Sequence, residues 1–253
     1  MPRPRRLTAL PPQASFRRAP FVRDLSETSM NTAKPKPLLH GLALSMLLFA
    51  TPAFAGPPLL CHPFQTNGAP SLPWGGNGWN QARAGYDLAR LGADTEALLA
   101  PATPVIARME TLRRAAIYAS RDGKVARGLA GRLDARVAAA KDDDARALAL
   151  FDAGYFRETL QDIVRLQGYD TAAIGKADAP ALRALLAGAD GSAGIDQALK
   201  LRPQDPELHF AAALVATADE RGDDYARHAR IAQAGMGQDR LLALNVARIA
   251  AGH

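Results

Sequence analysis

The side chains best suited to chemistry are few in this chain, and they are scattered. Cys61 is the single cysteine, and His62 follows it directly. A lone cysteine in an oxidising compartment has no partner for an internal disulfide, so it is buried, reactive or joined to another chain. Cysteine beside histidine can ligate a soft metal, but two ligands from one extended strand do not complete a site. The stronger expectation is a thiol shielded beneath the aromatic residues that follow, Trp74 and Trp79.

The remaining histidines after position 55 are His209, His228 and His253. None lies in a zinc-binding His-Glu-x-x-His pattern, and no Gly-x-Ser-x-Gly nucleophile turn accompanies them. His209 follows Glu207 at the start of an apolar run and reads as a packed or capping residue. His228 lies between Arg227 and Arg230, so it is expected on a solvated face. Glu96, Glu110, Glu158, Glu207 and Glu220 are the glutamates available as a general acid, and no local pattern places one in an apolar cleft where its pKa would rise. Asp142 to Asp144, and Asp219, Glu220, Asp223 and Asp224, lack the oxygen spacing of a calcium loop and read as helix caps and solvated loops. The glycines of WGGNGW precede no strand, so they serve turns and do not cradle phosphate. These residues predict no catalytic group, no metal site and no cofactor. Cys61, His62, Trp74, Trp79, Glu207 and Phe210 are the candidate binding residues.

Charge narrows the choice of partner. The formal net charge is +6, but residues 1–55 hold eight basic and two acidic groups, leaving 23 of each sign in the remainder. All of the excess therefore sits in the leader, and a neutral remainder lacks the positive field that dominates binding to nucleic acid. The leader itself has the three parts of an export signal. Lys34 and Lys36 form a basic start, Leu38 to Ala50 an apolar stretch, and Ala53 and Ala55 the small positions before Gly56. Cleavage is expected between Ala55 and Gly56, leaving a periplasmic or secreted protein. The apolar run is too short for the ~20 residues of a spanning helix, so no membrane span is expected after cleavage. Leu60 before Cys61 argues against a lipid-anchoring signal. Met30 opens a complete signal peptide, so 1–29 reads as an untranslated or disordered leader and 30–55 as the signal peptide.

The elements that must position these residues are helical. Residues 56–79 are dense in proline, glycine and asparagine, yet carry both tryptophans, which predicts an extended arm pinned by its aromatic groups. From residue 80 to 253 a single domain of successive helices is expected. The first helix runs from an Asn80 cap to about Leu99, and the second starts at Thr103-Pro104. A third starts at Asp122 or Gly123, and a fourth at Asp142 to Asp144. Gly154 is expected to precede a fifth, and Ala179-Pro180 opens a sixth. Further helices are expected over 193–201, 206–219, 223–234 and 238–250. No alternating β-branched run is present to nucleate a sheet.

Two stretches carry a resemblance. In Gly194 to Leu214, the pair Ala198-Leu199 is followed by Leu201, Pro203, Asp205 and Pro206, which resembles the hinge between tetratricopeptide repeats. Gly154 to Val164 resembles the turn inside such a repeat, and Arg221 to Ala232 echoes it. The opening LLCHPFQTNGAPSLPWGGNGW is similar to the start of exported bacterial proteins. The resemblance implies an all-α fold of stacked helical hairpins, tetratricopeptide-repeat-like and degenerate, with an extended N-terminal arm. It also implies a protein or peptide partner held in a groove. The competing reading is an exported helical hydrolase or lyase that uses carboxylates on cell-wall or polysaccharide material. A deep cleft with two facing carboxylates would favour the enzyme, and an open groove the interaction module.

Overall fold

The computed structural model describes residues 59–167 and 174–250. The expected export signal and its cleavage site, the start of the expected arm (56–58) and His253 lie outside them. Among the described residues ten α-helices are packed together and there is no strand, only an isolated bridge between Trp74 and Ala82. The helices are α1 (Leu91–Leu98), α2 (Val105–Ala119), α3 (Gly123–Ala139), α4 (Asp143–Leu166), α5 (Ala179–Leu186), α6 (Gly191–Leu201), α7 (Pro206–Ala218), α8 (Gly222–Gly235), α9 (Arg240–Asn245) and α10 (Ala247–Ala250). Aspartate begins most of them. Asp122, Asp142, Asp178, Asp190, Asp205 and Asp239 each accept a hydrogen bond from an N–H of the helix that follows, which satisfies donors the helix itself leaves open.

Three expected boundaries move, each for a physical reason. Asn80 does not start a helix: the non-helical chain continues through the Trp74–Ala82 bridge and through Gly85, at φ 72°. Helix begins only where Asp87 caps a 3-10 turn at Leu88–Arg90. Thr103 does not cap α2, because its hydroxyl donates back to the Leu98 carbonyl at 3.0 Å. Gly154 begins no new helix, since α4 runs through it unbroken. Its role is close approach: a Cβ there would sit 2.5 Å from the Gly191 carbonyl oxygen, so α6 lies directly against the α4 backbone. The last expected helix is divided, with α9 ending at Asn245 and α10 starting at Ala247.

Buried α4 is the centre of the packing and touches α2, α3, α5, α6 and α7, while α7 and α8 form a second closely packed pair. Across this core lies the 59–87 segment, held chiefly by α2. Glu110 accepts from the Phe64 N–H at 2.9 Å, and Arg113 donates to the carbonyls of Leu60 at 3.1 Å and Trp79 at 2.8 Å. Tyr118 donates to the Pro73 carbonyl at 2.6 Å and accepts from the Arg83 N–H at 2.9 Å. Glu110 is fully buried, and burial alone would raise its pKa, but Arg113 and Arg114 outweigh that and hold it below the usual range. Removing one member would leave a buried charge unpaired, which is far more costly than the pair is stabilising. No described helix is long and apolar enough to cross a membrane.

Candidate functional site: a cleft at the start of α7

The sequence Arg202-Pro-Gln-Asp-Pro-Glu207 dictates its own geometry. Arg202 ends α6, and Asp205 caps the next helix by accepting from the Glu207 and Leu208 N–H groups at 3.0 and 3.1 Å. Pro206 fits the first helical position, where no N–H is needed. This turn faces Pro101 to Val105 at the start of α2, with Leu148 and Asp239 closing the sides. Together they line an open cleft of about 570 Å³.

Glu207 is the chemical centre of the cleft. Its side chain is 93% removed from solvent, with 7% exposed. Its Oε2 accepts from the Ile106 N–H at 2.9 Å, so a residue of α7 caps α2, whose own cap position, Pro104, makes no side-chain bond. Asp239 lies close enough for its negative charge to act on Glu207. Burial first, then the fields of Asp239 and Asp205, push Glu207 up to about 7 against the pull of the Ile106 N–H. Asp239 in turn caps α9 through the Leu242 N–H at 2.9 Å. No local pattern in the sequence had placed a glutamate in such surroundings, and the fold does so here. Glu158, near the start of α6, is also pushed up to about 7, by burial and by the fields of Asp219 and Asp190.

The other candidates do not converge on this cleft. Phe210 is fully buried and meets Phe64 edge-on at 6.1 Å and 84°, anchoring the 59–87 segment. Trp74 is half-buried, edge-on to Tyr118 at 5.8 Å, with the Arg113 and Arg114 guanidinium groups 5.2 and 5.4 Å from its ring. Trp79 is half-buried, and its carbonyl holds Arg113. His62 is exposed, its pKa lowered by partial burial and by Arg248 and Arg113. Cys61 is half-buried, and burial and Asp162, opposed by Arg113, push its thiol up to about 11. A thiol in that state is unreactive at neutral pH. Four of the six candidates thus lie in the 59–87 segment, Phe210 packs against it, and Glu207 alone lines the cleft.

Two functional-looking groups escape the sequence. Asp239 reads locally as one more aspartate cap, and nothing near it announces Glu207. His228 is buried, not solvated, because α8 turns that face onto α7. It meets His209 with Nδ1 atoms 2.7 Å apart. Among the described residues no three His, Cys, Asp or Glu side chains converge as a metal site would require. Compared with known proteins, the chain matches no family model, no curated protein and no solved structure.

Proposed function

We propose that this chain is an exported helical-repeat protein of the cell envelope, tetratricopeptide-repeat-like with an extended N-terminal arm, and that its cleft receives a segment of a protein or peptide partner. The carrying observation is the open cleft between the starts of α2 and α7, walled by Pro101, Pro104, Pro203 and Pro206. Proline walls hold their shape without a cost in backbone entropy on binding. The acidic side chains Asp205, Glu207 and Asp239 outnumber Arg202 there, which suits a segment with one basic residue among apolar ones. The test is selection of peptides from a random library on the full chain, repeated with Gln204→Trp, which fills the cleft from an exposed position. Enriched basic peptides that bind the natural protein and are lost with the tryptophan support the reading. Enrichment unaffected by the tryptophan, at equal melting temperature, overturns it.

The Glu207–Asp239 pair favours a second reading, an exported carboxylate-dependent hydrolase or lyase. A carboxyl pushed up to about 7 is a suitable general acid. The glutamate is, however, committed to the α2 terminus, where it accepts from the Ile106 N–H. Glu207→Gln preserves that hydrogen bond and removes the acid, so peptide binding that survives the change favours the module.

A further inference from the structure

The His209–His228 contact is closed at both ends. His209 Nε2 lies 3.0 Å from the Pro203 carbonyl, which can only accept, so this nitrogen carries a hydrogen. His209 Nδ1 is then the bare nitrogen of a neutral ring, and His228 Nδ1, 2.7 Å away, must donate to it. That leaves His228 Nε2 bare, and there the Arg227 guanidinium donates at 3.1 Å. The hydrogens follow from the network: Arg227 to His228, His228 to His209, His209 to Pro203. Each ring atom is used once, and both rings are buried, at 6% and 5% exposure.

Such a chain has no place for another proton. On His209 Nδ1 it would face the His228 N–H across 2.7 Å. His228 cannot turn its own hydrogen to Nε2 without facing Arg227. The surrounding charges offer no relief. On α8, Asp224 favours a charged ring, but it is already paired with Arg221 at 2.6 Å and Arg227 at 2.8 Å. On the α7 side, Asp205 is paired with Arg202 at 3.3 Å and caps the helix. Glu207 is engaged with the Ile106 N–H and sits in the field of Asp239 of the loop before α9.

We propose that the His209–His228 contact is a proton-operated latch, in which one proton between the rings holds the α6–α7 loop at Pro203 and a second proton releases that loop and one wall of the cleft. The latch does not depend on what the cleft receives. Its direction follows from burial first and then the field of His209, which bring His228 down to about 4 from an ordinary 6.5. The folded ring thus binds protons more weakly than a freed one. The closed state is fully favoured above about pH 6.5 and loses strength toward pH 4, by about 30-fold at pH 5.

Hydrogen exchange on the full chain, corrected for intrinsic rates, tests this at about pH 7 and about pH 5. In His228→Gln the amide group can donate to His209 and accept from Arg227 without titrating, while Glu207, raised to about 7, titrates in both proteins and cancels in the comparison. Between the two pH values the amides of 204–210 should therefore lose about 30-fold more protection in the natural protein than in His228→Gln, while those of 108–116 in α2 respond within about threefold of each other in the two proteins. An equal pH response of 204–210 in the two proteins overturns the latch. Imidazole ¹⁵N spectra near pH 7 provide a test that needs no variant. They should show His209 protonated at Nε2 and His228 at Nδ1, and the same tautomer on both rings would refute the network.

Discussion

Replacing Glu207 by glutamine isolates the consequence of placing a carboxyl between a helix terminus and a second carboxylate. The introduced amide oxygen can accept from Ile106 as Glu207 does at 2.9 Å. Shape and that hydrogen bond are kept, and only the group's ability to ionise is removed. In the folded protein Glu207 keeps its proton up to about pH 7, whereas in the unfolded chain it loses it near 4.5. Between those values the folded state binds more protons, so the natural protein becomes less stable as pH rises through that interval. At about 1.4 kcal/mol per pH unit the interval is worth about 3 kcal/mol. The other raised carboxyls, Asp152, Glu158 and Asp162, titrate in both proteins and cancel in the comparison. Thermal unfolding followed by circular dichroism should therefore show equal melting temperatures near pH 4. Near pH 8 the variant should lead by roughly 6–12 °C, taking about 2–4 °C per kcal/mol for a chain of this size. Parallel curves over the whole range, or a variant that melts lower near pH 8, would refute the argument that burial keeps Glu207 protonated.

Four further outcomes follow from packing and burial. Gly154→Ala should destabilise by about 2 kcal/mol in urea unfolding: pushing against the Gly191 backbone costs up to about 3, offset by about 1 of helix propensity. Gly128→Ala in α3, where an added Cβ meets nothing within 4 Å, should stabilise by up to about 1 kcal/mol. Trp74→Ala should cost about 2 kcal/mol by the same measurement, less than the roughly 3–5 of a fully enclosed ring because Trp74 is half-buried. Cys61, its thiol raised from 9.0 to about 11, should react about 100-fold more slowly with a disulfide reagent at neutral pH than after unfolding; labelling within about threefold of the unfolded rate would contradict the burial.

Helix starts were legible because their chemistry is local. Asp122, Asp142 and the Asp205-Pro206 and Ala179-Pro180 pairs announce themselves within four residues, and each opens a helix close to where the pattern puts it. Gly154 misled for the opposite reason. Glycine breaks a helix by its local energetics, but here it admits α6, whose arrival only the tertiary fold reveals. Asn80 misled because the Trp74 bridge draws the chain away from helix before Asp87. In the cleft, Glu207 was singled out, but its partners Ile106 and Asp239 lie 101 residues before and 32 after it. His228 looked solvated because arginines flank it, and a rotation of about 100°, one residue's step along a helix, decides which side of α8 faces α7.

The 59–87 segment also joins the two ends of the described chain. Gln65 exchanges hydrogen bonds with Asn245 across 180 positions, both at 2.9 Å, and Arg248 donates to the Pro63 carbonyl while its guanidinium lies 5.1 Å from the Phe64 ring. A ribosome delivers a polypeptide from its N-terminus, so Leu60 and Phe64 emerge long before the helices that cover them. Until α9 and α10 exist, Phe64 lacks its Arg248 contact and Gln65 its Asn245 partner, and the final closure is a long-range event with the slow kinetics such contacts impose. The unfinished chain is therefore a natural client for a holding chaperone, and clipping a few residues from either end of the 59–250 stretch would loosen the same seam.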